Sequence, residues 1–86
     1  MAKKTVEIQP PMSYEPASIE INVGDTVEWV SRDGTDVHTV TADDGSFNST
    51  TLNENDTFAH TFATAGNFPY HCKVHGSAMA GVIKVT

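Results

Sequence analysis

Short segments in which every second residue is apolar dominate this chain. The alternation runs through residues 5–8, 19–23, 26–30 and 57–62. A period of two places successive side chains on opposite faces of a β-strand, whereas an amphipathic helix has a period of about 3.6. No stretch of the sequence carries the helical period. We therefore predict an all-β protein that folds as an antiparallel Greek-key β-sandwich of seven to eight strands.

Turn residues and polar segments separate the predicted strands. Gly24-Asp25 and Ala65-Gly66 interrupt the alternation, residues 9–16 hold three prolines, and residues 43–56 form a long polar excursion. Further strands are predicted at residues 38–42, 67–72 and 81–85. The apolar side chains on the inner faces form the predicted core: Val6, Ile8, Ile21, Val27, Trp29, Val40, Phe58, Phe62, Phe68, Tyr70, Ile83 and Val85.

The length and the charge restrict the classes of function. A chain of 86 residues makes one domain, residues 1–86, and its single cysteine cannot form an internal disulfide. The formal net charge of −6 argues against nucleic-acid binding, because that affinity comes mainly from neutralising phosphates. The same charge suits a partner with a basic docking surface.

The carboxyl-terminal part of the chain concentrates metal-binding side chains. Cys72 is followed by His75 and Met79, and His38 lies far upstream at the start of a predicted strand. A thiolate, two imidazoles and a weak axial thioether are the ligands of a blue-copper electron-transfer site. Sulfur ligands suit Cu(I) and imidazoles suit Cu(II), so one site serves both oxidation states. The pattern predicts one copper ion per chain, bound by His38, Cys72, His75 and Met79.

Other interpretations of these residues stay open on the sequence alone. A free cysteine is often an inert buried side chain. Cys72 with His75 or His38 as a base would make a nucleophilic enzyme, although no set of oxyanion donors is recognisable. A structural zinc site would lack a good fourth ligand, and the same four side chains would also suit copper storage or delivery. His60 and His71 lie outside the motif, and we expect them to be structural or solvent-facing.

Three segments resemble the small cupredoxins, especially those of the amicyanin and plastocyanin type. Val23-Gly24-Asp25-Thr26-Val27-Glu28-Trp29 is similar to the strand before the first copper histidine of amicyanin. Residues 61–72 resemble the penultimate strand of the family, and residues 79–85 resemble its closing strand. The likeness implies a cupredoxin-like fold and the same ligands, His38, Cys72, His75 and Met79.

The resemblance also implies a function. Cupredoxins of this kind carry single electrons and are not enzymes, and their copper alternates between Cu(II) and Cu(I). Because small residues follow His75, we expect its imidazole edge to be uncovered and to pass electrons to redox partner proteins. Storage or delivery of copper is the alternative function.

The sequence departs from the family pattern near the expected ligands. Three residues separate His75 from Met79, a spacing between the two of amicyanin and the four of plastocyanin. Thr39 follows His38 where the family usually has asparagine, and Phe68 stands where a tyrosine is common. We expect Thr39 to bridge to the ligand loop less well than asparagine does, because ligand orientation depends on such surrounding contacts.

Partners and compartment follow only from the resemblance. We expect transient encounters with protein electron donors and acceptors, no nucleic acid, no membrane span and a monomeric state. The expected compartment is the periplasm, with the thylakoid lumen as the alternative. Met1-Ala2-Lys3-Lys4 leads into no apolar run of secretory type, so we expect the signal peptide to be absent from this chain.

Overall fold

The computed structural model describes residues 2–10 and 12–86, apart from the side chain of Ser77. These residues form eight β-strands, in line with the predicted all-β fold. They contain no helix that is long and apolar enough to cross a membrane. The strands are β1 (Lys3–Gln9), β2 (Ser13–Glu15), β3 (Ser18–Ile21), β4 (Thr26–Ser31), β5 (Thr41–Ala42), β6 (Thr57–Thr61), β7 (Gly66–Cys72) and β8 (Gly76–Val85).

The strands pair into two four-stranded sheets. One sheet has the order β2-β1-β4-β6, and the other has the order β3-β8-β7-β5. Most neighbours are antiparallel, as predicted, but β1 pairs with β4 and β3 with β8 in parallel. The alternation of apolar residues could not reveal this difference, because it reports which face a side chain takes and not the direction of the neighbouring strand.

The inner faces of the two sheets meet in one apolar core around Trp29. The Trp29 ring is fully buried, and its centroid lies 5.8, 5.8 and 5.3 Å from those of Phe47, Phe58 and Tyr70. The predicted core residues are buried, except that Phe58 and Phe68 are partly buried against the cluster. Because each buried large apolar side chain stabilises the fold by about 1.5–3 kcal/mol, this cluster is the main source of stability.

Three elements differ from the sequence-based expectation. The short edge strand β2 forms inside the proline-containing segment, where Tyr14 pairs with Ile8 of β1. Only Thr41 and Ala42 of the predicted 38–42 strand belong to a strand. β8 begins at Gly76 rather than Gly81, because the residues after His75 already pair with β7.

The end of β7 and two loops bring His38, Cys72 and His75 together. Cys72 is the last residue of β7, and a three-residue turn, 73–75, leads directly into β8. His38 is held outside the named strands by a bridge to Leu52, with N···O distances of 3.2 and 2.7 Å. The β7–β8 hairpin therefore supplies Cys72 and His75, and a loop that is hydrogen-bonded to Leu52 supplies His38.

Candidate metal centre

The structure brings three of the four predicted ligand residues together. One donor atom each of His38, Cys72 and His75 lies within 4.8 Å of the other two. The side chains of His38 and Cys72 are fully buried, and Nδ1 of His38 lies 3.9 Å from Sγ of Cys72. The imidazole centroids of His38 and His75 are 5.1 Å apart. Two donors bound to one ion at about 2.0–2.3 Å must lie within about 4.3 Å of each other, so a single metal ion fits between Nδ1 and Sγ.

Met79, the fourth predicted ligand, lies in β8. Its side chain is 1% exposed and belongs to the same core cluster as Cys72. A buried methionine is a common core filler, and its thioether is also a soft, polarisable sulfur. Met79 thus shares the core with Cys72, and its role as a ligand stays a prediction.

Asp33 is the hydrogen-bond partner of His38. Oδ2 of Asp33 lies 2.7 Å from Nε2 of His38, and both side chains have no exposed surface. An ionised carboxylate only accepts hydrogen bonds, so the imidazole hydrogen belongs on Nε2. Nδ1 then keeps its lone pair and faces Cys72. The carboxylate thus orients the ring and selects the tautomer that can bind a metal through Nδ1.

The second oxygen of Asp33 organises the loop in which it lies. Oδ1 accepts hydrogen bonds from N and Oγ1 of Thr35, at 2.9 and 2.8 Å, and from N of Asp36 at 3.2 Å. The hydrogen bond from His38 and those from Thr35 hold the pKa of Asp33 well below its usual range. Asp33 is therefore ionised near neutral pH and keeps the loop in one conformation.

Thr39 connects the segment that contains His38 to Cys72 and the loop after it through hydrogen bonds. Its backbone N–H donates to Sγ of Cys72 at 3.4 Å, and its Oγ1 accepts from N–H of Lys73 at 2.8 Å. Its carbonyl oxygen accepts from the Tyr14 hydroxyl at 2.6 Å. Burial raises the pKa of Tyr14, so this hydroxyl stays protonated and keeps donating. The Thr39 hydroxyl therefore does bridge to the ligand loop. That it bridges less well than asparagine stays a prediction.

Replacing Thr39 by valine tests that bridge. We expect Thr39→Val to lower the free energy of unfolding of the metal-free protein by about 1–2 kcal/mol, because the part-buried N–H of Lys73 loses its acceptor. Chemical denaturation measures the change. Thr39→Ser keeps the hydroxyl and should stay closer to the parent protein. Equal stability of the parent and Thr39→Val would show that the bridge contributes nothing.

His75 is more enclosed than the sequence suggested. Its side chain is 19% exposed, whereas its Nε2 atom is buried and makes no hydrogen bond of good geometry to any described residue. The nearest carboxylate oxygen is Oδ2 of Asp36, 3.1 Å from Nε2, and the Asp36 side chain is 45% exposed. The Asp36 carboxylate thus lies beside the buried Nε2 atom of His75.

The other two histidines lie outside the centre, as expected. Nδ1 of His71 lies 2.6 Å from Oδ1 of Asp43 on the surface, and the His71 side chain is 31% exposed. The His60 ring packs between Phe47 and Phe62, with centroid distances of 4.9 and 4.8 Å. Burial lowers the pKa of His60.

The residues around the ligands were the part that sequence reasoning missed. Asp33 and Asp36 lie in a polar connection whose acidic residues resemble any solvated loop, and the only local signal was their closeness to His38. Tyr14 lies in the proline-containing segment and gave no signal at all. Their roles depend on contacts between residues that are distant in the chain.

The donor set fits copper better than the alternatives. A thiol sulfur and two imidazole nitrogens combine soft and intermediate donors at this end of the core. Asp33 is ionised but directs its oxygens to His38 and its own loop, so it does not complete a typical zinc ligand set. A site that binds both Cu(I) and Cu(II) can accept and release one electron.

Comparisons with known proteins agree with this chemistry. The family described as "Copper binding proteins, plastocyanin/azurin family" matches residues 1–86. The chain is 31% identical to amicyanin of Paracoccus denitrificans in an alignment 68 positions long that covers 74% of this chain and 52% of that protein. The chain thus spans about half the length of that amicyanin.

Two further proteins resemble the chain over most of their length. Plastocyanin of Scenedesmus fuscus is 32% identical in an alignment 83 positions long that covers 84% of this chain and 85% of that protein. A purple cupredoxin from Nitrosopumilus maritimus has a similar structure, with a TM-score of 0.84 and 29% identity over 96% of this chain and 99% of that chain. The resemblance inferred from the sequence is confirmed. The chain belongs to the plastocyanin/azurin family of copper-binding proteins, and its cofactor is copper.

Proposed function

We propose that this protein is a one-electron carrier that binds one copper ion through His38, Cys72, His75 and Met79. The observation that carries the proposal is the convergence of the His38, Cys72 and His75 donors within 4.8 Å at one end of the sandwich. Bound copper would supply the redox chemistry by alternating between Cu(II) and Cu(I). A carrier of this kind is not an enzyme, because it transfers an electron without transforming a bound substrate.

The fold holds two of the proposed ligands in place. Cys72 is fixed by the end of β7 and by the N–H of Thr39, and His38 is fixed by Asp33. Fixed ligands change position little between the two oxidation states, so less rearrangement opposes electron transfer. The backbone N–H at 3.4 Å from the Cys72 sulfur also draws negative charge from the thiolate, which tunes the potential.

We propose that electrons pass through His75 to partner proteins. His75 is the most exposed of the three converging residues, and the neighbouring Val74 is 49% exposed. A partner that covers Val74 would come close to the imidazole edge without entering the site. The net charge of −6 favours partners with a basic docking surface, and transient encounters with such partners suit turnover. The periplasm is the proposed compartment, with the thylakoid lumen as the alternative, and a monomer is the proposed state.

Titration of the metal-free protein with Cu(II) tests the proposal. We expect an intense blue absorption band and a narrow copper hyperfine splitting in electron paramagnetic resonance, both saturating at one copper per chain. Thiolate ligation at a site of this type produces these signatures. A pale spectrum with an ordinary Cu(II) resonance would mean that Cys72 does not bind the metal, and it would overturn the proposal.

Retention or loss of the bound copper distinguishes an electron carrier from a copper-delivery protein. A carrier should cycle between the two oxidation states at a constant potential and retain its copper in the presence of a competing Cu(I) chelator. A delivery protein should instead lose its copper rapidly to the chelator. We expect retention, because the Cys72 and His38 side chains are fully buried.

A further inference from the structure

Both histidines at the centre face carboxylates of the same loop. Asp33 contacts Nε2 of His38 at 2.7 Å, and Asp36, three residues later, contacts Nε2 of His75 at 3.1 Å. We propose that Asp36 is a positioning residue for His75, so that two carboxylates of one loop orient the two imidazoles. The inference rests on the proposed function, in which His38 and His75 are copper ligands.

The loop geometry connects the two carboxylates. Oδ1 of Asp33 accepts the backbone N–H of Asp36, which fixes where the Asp36 side chain begins. Oδ1 of Asp36 in turn accepts the N–H of Val37 at 2.8 Å, which leaves Oδ2 directed at His75. The position of Asp36 is therefore set by the same residue that holds His38.

His75 needs an acceptor at this position. Its Nε2 atom is buried, and a buried N–H without an acceptor is costly. Among the described residues, Asp36 is the carboxylate that lies within 4.0 Å of this nitrogen. The contact lies outside good hydrogen-bond geometry, and the proposal is that the Asp36 carboxylate accepts the hydrogen on Nε2. An acceptor at Nε2 would keep the hydrogen there, so that the metal would bind through Nδ1.

The Asp36 carboxylate also places a negative charge beside the centre. Negative charge near copper stabilises Cu(II) more than Cu(I), because the oxidised ion has the larger positive charge. The charge therefore lowers the reduction potential. Two variants separate the effects, since Asp36→Asn keeps an acceptor oxygen but removes the charge, whereas Asp36→Ala removes both.

The chain offers a matched control in His71 and Asp43. This pair also joins an imidazole nitrogen to a surface carboxylate, at 2.6 Å, and the Asp43 side chain is 53% exposed. His71 is not among the three converging residues. Asp43→Ala thus removes a comparable carboxylate from a histidine that does not belong to the site.

Nuclear magnetic resonance of the ¹⁵N-labelled, metal-free protein tests positioning directly. We expect the Nε2–H of His75 to give an observable ¹H–¹⁵N signal in the parent and in Asp36→Asn. In Asp36→Ala we expect exchange with water to abolish that signal, while Asp43→Ala retains it. An unchanged signal in Asp36→Ala would overturn the proposal. This readout needs no copper. Failure of the proposed function would appear separately, as a pale spectrum when the parent protein is titrated with Cu(II).

The reduction potential of the copper-loaded protein tests the electrostatic part. We expect Asp36→Asn and Asp36→Ala to lower the ratio of Cu(II) to Cu(I) affinity roughly two- to tenfold, since solvent screens a half-exposed charge. The tenfold limit corresponds to a rise of about 59 mV for a one-electron couple. Asp43→Ala should shift the potential less. The electrostatic part of the proposal would be overturned if both Asp36 variants had the same reduction potential as Asp43→Ala.

Discussion

Replacing Cys72 by serine is expected to abolish the intense blue absorption of the Cu(II) protein. The copper resonance should revert to the wide hyperfine splitting of an ordinary Cu(II) complex. Both changes follow from loss of the thiolate, because a hydroxyl oxygen is a harder ligand and cannot form the covalent copper–sulfur bond that gives rise to the band. Visible absorption and electron paramagnetic resonance of the copper-titrated variant measure the outcome.

The fold should survive this substitution, so the loss would report on the ligand alone. Cys72 is fully buried at the end of β7, and serine is close to it in size. The Thr39 N–H that contacts Sγ at 3.4 Å can donate to the serine oxygen instead. Circular dichroism of the metal-free variant should match that of the parent. Met12→Leu, at a side chain that is 40% exposed, should leave the blue spectrum unchanged. A blue Cys72→Ser protein would contradict the proposed ligand set.

The second large effect is expected at Asp33. Asp33→Ala should weaken copper binding about 10–100-fold, the usual range when the outer partner of a ligand histidine is lost. The substitution leaves Nε2 of the fully buried His38 without its acceptor and frees the ring to rotate or to change tautomer. It also releases the N–H groups of Thr35 and Asp36, so the loop that leads to His38 loses the hydrogen bonds that Asp33 accepts. Competition with a Cu(I) or Cu(II) chelator of known affinity measures the loss.

Asp33→Asn separates geometry from charge at this position. The amide oxygen can still accept the hydrogen of His38, so copper affinity should fall less than in Asp33→Ala. The reduction potential should nevertheless rise, because a buried negative charge near the metal is gone. Asp44→Asn removes an exposed carboxylate whose contact is to Ser46 and should leave copper affinity unchanged. Parent-like affinity in Asp33→Ala would show that the His38 orientation does not depend on this carboxylate.

The sequence was sufficient for the sandwich and for most of its core. Alternation marks which side chains face inward, and burial of Val6, Ile8, Val27 and Trp29 matches that pattern. The sequence was insufficient where the pairing of strands depends on segments that are distant in the chain. The parallel pairing of β1 with β4 and the short β2 strand around Tyr14 follow from which edges are available once the sheets assemble. Alternation within one segment contains no information about which strand edges are available for pairing.

The candidate ligands could be proposed from the sequence because their chemistry is unusual. One cysteine, a histidine three residues later and a methionine beyond it form a combination of donors that few functions other than metal binding require. The convergence of His38 with Cys72 and His75 needed the fold, since His38 and Cys72 are 34 positions apart in the sequence. The bridge from His38 to Leu52 holds it at the site.

Among the residues that orient the ligands, Thr39 was singled out by the sequence, through its position after His38. Asp33, Asp36 and Tyr14 are ordinary residue types for loops and edge strands, and their positions in the sequence do not distinguish them from solvated side chains. Their roles come from burial and from distances of 2.6–3.1 Å to groups elsewhere in the fold. Ligand type is a property of the side chain and can be read along the chain. Ligand orientation depends on hydrogen bonds between separate segments, so it exists only once the two sheets have packed.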